Sequence, residues 1–195
     1  MKLTLKFLAA IIFALSSVAS CYAQTPPPPV QPPPPMKPAR NVGNAKVFYF
    51  EKQNQTKASV YLYILGEVAD IYQKKDVLTM EVGYQVAGNK ATEPKSIYLF
   101  LTSYSGEGLK YKDNHKLTFY LDDKRLLSED SVVRSSSYAP QKISSESFAL
   151  PEIKYKDFRK ILEAKKVTLQ FGQTKIDLKP EVIQGLRDLN KTIEN

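Results

Sequence analysis

The chain has 195 residues, 43% of them hydrophobic and 25% charged, proportions that exclude a collagen-like or wholly disordered polypeptide and leave room for one globular domain. Its net charge of +8 overstates how basic the folded part is, because Lys2, Lys6, Lys37, Arg40 and Lys46 all precede Val47 and every acidic residue follows it. Removing those five from the 28 basic residues leaves 23 against 20 acidic ones, a surplus too small to suggest a nucleic-acid partner.

The first segment has the layout of an export signal. Lys2 and Lys6 form a basic start, Phe7 to Val18 is apolar, and the small residues Ala19 and Ser20 lead to Cys21. The apolar run is shorter than the roughly 20 residues that a membrane-spanning helix needs. Cys21 is the single cysteine of the chain. Val18-Ala19-Ser20-Cys21 resembles the lipobox of bacterial lipoproteins, an aliphatic residue and two small ones before a cysteine. The resemblance implies cleavage before Cys21, acylation of its thiol and new amine, and attachment to a membrane of the cell envelope. Tyr22, which is not acidic, then implies sorting towards the outer membrane. The competing reading is ordinary cleavage after Ala23, which leaves a soluble secreted or periplasmic protein beginning at Gln24.

Residues 21–45 read as the lipidated cysteine and a linker. Pro26–Pro29 and Pro32–Pro35 form two tetraproline blocks. Proline lacks an amide hydrogen and has a fixed φ, so such blocks favour a stiff polyproline II rod. The span from Tyr22 to Ala45 reaches on the order of 70 Å if fully extended. A passive spacer, a docking peptide for an aromatic groove and a contact with the cell wall are the three roles such a rod offers.

Residues 46–195 read as one α+β domain: an antiparallel sheet or sandwich of about seven to nine strands, with two C-terminal helices. Val47–Phe50 and Ser59–Leu65 are apolar runs of strand type, the second ending at Gly66. Asp76–Val86 alternates, with Leu78, Met80, Val82, Tyr84 and Val86 on one side. Ser96–Tyr104 is a further strand, and Lys116–Leu121 places Leu117, Phe119 and Leu121 on one face. Asp122-Asp123-Lys124 reads as a tight turn into Arg125-Leu126-Leu127. Ser131–Arg134 and Lys142–Leu150 are weaker strand candidates, with Ser135–Ser137 read as loop. Tyr155, Phe158, Ile161 and Leu162 then fall at helical spacing, Val167–Phe171 and Ile176–Leu178 form a hairpin, and Pro180 opens a helix carrying Val182, Leu186, Leu189 and Ile193. Ala164–Gly172 with Gly185–Leu189 resembles the C-terminal parts of uncharacterised exported bacterial domains, a resemblance that implies no activity.

Few residues suggest chemistry. His115 is the single histidine. With Asp113 and a serine it is the one place for a hydrolase triad, although Tyr104-Ser105-Gly106 lacks the glycine that a nucleophile elbow places before serine. Zinc lacks a ligand set, and no EF-hand loop surrounds Asp122, Asp123, Glu129 and Asp130. Asp76 and Glu81 share one strand, which defines no glycosidase pair. Asn54-Gln55-Thr56 and Asn190-Lys191-Thr192 match the glycosylation sequon of a eukaryotic secretory pathway, which the lipobox argues against. Lys154, Lys156, Arg159, Lys160, Lys165 and Lys166 form a basic cluster, diluted by Glu152, Asp157 and Glu163. Tyr61, Tyr63, Tyr98 and Tyr104 recur at alternate positions of two strands, as either core pairs or an exposed aromatic face. The leading expectation is a non-catalytic envelope lipoprotein, a binding or scaffolding domain without cofactor or metal, whose partner is an envelope protein or cell-wall polymer. The alternative is a secreted or periplasmic hydrolase using His115.

Overall fold

A computed structural model describes residues 40–137 and 143–193. Cys21 and the tetraproline blocks lie outside the described residues. The elements in chain order are β1 (Arg40–Val42), β2 (Ala45–Phe50), β3 (Gln55–Leu65), α1 (Val68–Tyr72), β4 (Val77–Ala87), β5 (Ser96–Ser105), β6 (Lys116–Leu121), β7 (Lys124–Asp130), β8 (Val132–Ser137), β9 (Ser144–Ala149), β10 (Ile153–Lys154), α2 (Tyr155–Glu163), β11 (Val167–Phe171), β12 (Thr174–Asp177) and α3 (Pro180–Lys191).

Two antiparallel sheets hold these strands. An eight-stranded sheet runs β1-β2-β3-β4-β5-β9-β8, with β10 pairing on β5, and a four-stranded sheet runs β12-β11-β6-β7. The class is α+β as the pattern indicates, but the strands number twelve rather than seven to nine. The additional ones are short: β1 has three residues and β10 two, too few to show a period. The sheet also starts at Arg40, inside the segment read from sequence as linker. Ser135–Ser137, read as loop because they are polar, continue β8, where every side chain is exposed and no burial pattern exists to detect.

The long antiparallel pair β3–β4 sets the frame. Its register places Ala58, Val60, Leu62 and Ile64 on one face together with Leu78, Met80, Val82 and Tyr84 of β4, all of them buried. That inner face carries α3 and, through Phe148, the small sheet. α3 opens with Pro180, whose missing N–H costs nothing in the first turn. It lies so close to β3 that a Cβ on Gly185 would stand 2.5 Å from Leu62 Cδ2. The absence of a side chain at Gly185 is what lets the helix approach. The small sheet is joined to the large one through aromatic rings, with Phe148 of β9 5.0 Å from Phe171 of β11, centroid to centroid. α2 buries Tyr155, Phe158 and Ile161, the stripe visible in its sequence.

Two polar locks fix α3. Asp188, 5% exposed, accepts bonds from the Asn44 amide (3.0 Å) and the Gln184 side chain (2.8 Å), tying the β1–β2 turn to the helix. Gly43 in that turn has φ +57°, and a Cβ there would meet the Asp188 carboxylate at 2.2 Å, so glycine serves both conformation and space. Near the helix end, the buried Tyr84 and Thr192 hydroxyls lie 2.6 Å apart, and Thr192 Oγ1 donates to the Leu189 carbonyl. With that proton committed, Tyr84 donates to Thr192.

Candidate functional site: an aromatic face on the large sheet

Strand alternation sends the other half of the side chains to the outer face of the large sheet. Tyr61 and Tyr63 stand on β3, and Tyr98, Phe100 and Tyr104 on β5. Phe48 and Phe50 extend the surface on β2. Between the two aromatic ridges β4 contributes Thr79, Glu81 and Gly83. Strands are spaced about 4.8 Å apart, so the ridges are separated by roughly 10 Å with a lower floor between them. α3 packs through Gly185 on Leu62, and the small sheet through Phe171 on Phe148, both contacts on the inner face. Tyr61 is 51% exposed, and the other rings are half-buried against one another.

The rings pack in adjacent pairs. Tyr61 meets Tyr63 edge to face at 5.6 Å, Tyr98 lies 5.3 Å from Phe100, and Phe48 6.5 Å from Phe50. Tyr98 is held at one end: its hydroxyl donates to Glu81 (3.1 Å), and Lys57 Nζ stands 5.3 Å above its ring and 3.5 Å from Glu81. Its ring leans over Gly83, where a Cβ would be 2.4 Å from the Tyr98 oxygen. Burial first, and the Glu81 carboxylate second, push the Tyr98 phenol well up. At the other end Tyr61, Tyr63 and Tyr104 gather beside Tyr72, which is 82% exposed on α1. Burial raises the Tyr63 and Tyr104 phenols, and the neighbouring phenols add to the effect. These groups stay neutral over the physiological range, as ring faces with hydroxyl donors and acceptors. Such a surface offers ring faces for stacking and hydroxyls for hydrogen bonding.

The spacing Tyr61-x-Tyr63 and Tyr98-x-Phe100 shows in the sequence that each pair shares a face. Phe48, Phe50 and Tyr72 join the group only through pairing across strands and the position of α1.

The remaining sequence candidates are dispersed. His115 Nδ1 lies 2.9 Å from Ser131 Oγ, and the ring stacks on Phe148. Ser131 Oγ donates its single proton to the His115 carbonyl at 2.7 Å, so Nδ1 must itself be the donor to Ser131. The imidazole therefore holds a loop instead of withdrawing the serine proton. Replacing Ser131 by alanine is expected to cost about 1–3 kcal/mol in urea unfolding, since it removes both of these bonds. Ser105 is buried and receives the Glu107 amide. Asp113 is exposed, and no bond joins it to His115 among those described.

The acidic candidates are likewise separated. Asp122 and Asp123, both with positive φ, form the two-residue turn between β6 and β7, the geometry of a type I′ hairpin. Glu129 and Asp130 lie at the opposite end of β7. Among the described residues no group of three or more His, Cys, Asp or Glu is placed to hold a metal ion. Asp76, just ahead of β4, pairs with Lys110, whereas Glu81 points to the outer face with Lys57. In the basic cluster Arg159, Lys160 and Lys166 each face an acid: Glu163, Asp157, and Asp123 with Asp177.

The fold and this face together define the chain as an α+β domain of two antiparallel sheets with a partly exposed aromatic surface among the described residues. Comparison with protein-family models, with curated proteins and with solved structures finds no match.

Proposed function

We propose that the chain is an exported envelope lipoprotein, anchored through Cys21, whose domain is a non-catalytic binding or scaffolding module on a proline-rich tether. The observation that carries the binding part is the outer aromatic face. Tyr61 and Tyr72 leave large ring surface in water beside the half-buried rings, and clustered exposed apolar surface commonly marks an interaction site. Tyrosine is well suited to that role, with large rigid rings and a polar tip. The lipobox supports the anchor, and two or more acyl chains make attachment stable where one does not. The partner class is an envelope protein or a cell-wall polymer. A hydrolase using His115 gains no support, because the Ser131 proton points away from the imidazole.

Two measurements test the two halves. The intact mass of the N-terminal peptide from fractionated cells should show a fragment beginning at acylated Cys21, and Cys21→Ser should abolish it. An unmodified N-terminus at Gln24 overturns the anchor. For the domain, co-sedimentation with isolated cell wall and cross-linking to envelope proteins should both be measured. At least one should fall about tenfold in Tyr61→Ser/Phe100→Ser, the loss of about 1.4 kcal/mol. Retention equal to the unaltered protein in both assays removes the aromatic face from the function.

A further inference from the structure

Among the described residues the large sheet is incomplete along one strand. β2 pairs with β3 only as far as Lys46 opposite Ser59. The chain then turns through Gly43 and Asn44 into β1, which lies on the far side of β2. β3, however, continues to Leu65 and remains paired with β4 throughout. Among the described residues no strand occupies the other side of Tyr61–Leu65. Alternate backbone groups of that stretch therefore point into a vacant position in line with β2.

A cleft of about 320 Å³ lies at this place, lined by Asn44, Tyr61, Tyr63, Glu67, Lys179 and Glu181 among others. Asn44 marks one end, and Glu67, just after β3, the other. The first turn of α3 forms a wall. A β-bulge between Tyr63 and Leu65 ends the regular stretch, so the vacancy is short and bounded. Its regular part is Tyr61–Tyr63, with the bulge and Leu65 beyond it, so it spans at most five residues at about 3.3 Å each, the length of a short strand.

We propose that this slot takes an extended peptide segment of another protein, which adds as a strand antiparallel to β3. The unpaired backbone groups specify the chemistry. A row of alternating donors and acceptors is satisfied by an extended main chain, and the side chains on either face then supply selectivity. On the outer face the added strand meets Tyr61 and Tyr63, for which β-branched neighbours are favourable cross-strand partners. On the rim Lys179 opposes Glu67 and Glu181, so no strong field selects a charged segment.

Two other occupants fit less well. Arg40 pairs with Val47 and Val42 with Ala45, so β1 begins at its end farther from the slot. The tetraproline blocks upstream also lack the amide hydrogens that a ladder requires. A second copy could offer the free edge of its β8, which pairs only with β9, but Ser135, Ser136 and Ser137 make up half of that strand and give Tyr61 and Tyr63 little to pack against. This inference rests on the reading of the domain as a binding module, and not on the lipid at Cys21.

The test uses the ¹⁵N-labelled full chain in detergent micelles and the neutral peptide acetyl-Thr-Val-Thr-Val-Thr-Val-Thr-amide at millimolar concentration. Without peptide, alternate amides of Tyr61–Leu65 should exchange with solvent rapidly, and the others slowly because they bond to β4. With peptide the rapid set should slow by about tenfold. The same peptide N-methylated at alternate residues, which removes donors while keeping shape, should leave them unchanged. Equal protection by both peptides, or by neither, overturns the proposal. Protection already complete without peptide also overturns it: a concentration-dependent level identifies a second copy, and a concentration-independent one identifies the chain's own segment. Loss of binding in Tyr61→Ser/Phe100→Ser with unchanged exchange behaviour would sink the slot and leave the aromatic face standing.

Discussion

Replacing Phe148 by alanine is expected to cost about 3–5 kcal/mol, the range for emptying a fully buried aromatic site. Phe148 has no exposed surface. Its ring meets Tyr111 at 6.3 Å and Phe171 at 5.0 Å, both edge to face, and His115 stacks on it at 5.7 Å. It belongs to the large sheet, whereas Phe171 belongs to the small one, so the cavity would open where the two sheets meet. The surrounding strands are held by ladders on both sides and cannot collapse into the gap, which places the cost high in the range. Equilibrium urea unfolding followed by circular dichroism measures it. Phe148→Leu, which keeps most of the volume, should cost less than about half as much. A loss below about 1 kcal/mol for the alanine variant would mean that the sheets are not joined through this ring.

The second large effect is at Asp188. Asp188→Ala should cost about 2–3 kcal/mol, because it strands the Asn44 amide and the Gln184 side chain beside a 5%-exposed site. Burial opposes the charge on this carboxyl, but the Asn44 amide, Gln184 and Lys191 together outweigh it and hold the group below its ordinary value. A carboxyl whose folded value is depressed stabilises the fold fully above its unfolded value, about pH 4, and loses that contribution as pH falls through the folded value. Asp188→Asn removes the titration. The stability gap between the unaltered protein and Asp188→Asn should therefore be widest near neutral pH and narrow below about pH 4. A gap that stays constant down to acid pH would show that the charge of Asp188 does not act in the fold. Because Asp188 ties Asn44 to α3, the same variants should loosen the Asn44 end of the vacant strand position.

Much of the architecture is legible from local pattern, and the reasons are visible in particular elements. Leu78, Met80, Val82 and Tyr84 alternate because one face of β4 is inside, and the structure buries that set. Asp122 and Asp123 announce a turn because both tolerate positive φ. Pro180 and the spacing of Val182, Leu186 and Leu189 mark α3. The second half of β8, Ser135–Ser137, escapes because every residue of that strand is exposed, and β1 and β10 because they are too short to repeat. α1 is a single turn between a glycine and β4, without an apolar stripe to reveal it.

The candidate site divides along the same line. Alternation of Tyr61 with Tyr63, and of Tyr98 with Phe100, is a local property, so the sequence alone determined that each pair shares one face of its strand. The motif at Cys21 and the proline blocks are local too, which is why the proposal of export and lipid attachment rests on residue order alone. Only the tertiary structure decided that the face bearing these rings is the outer one. That outcome depends on which side α3 and the small sheet cover, and on the close approach at Gly185 and the contact of Phe148 with Phe171. It also decided that β2 stops short of Tyr61, since strand pairing joins residues distant in sequence and a missing partner leaves no mark on the strand that lacks it.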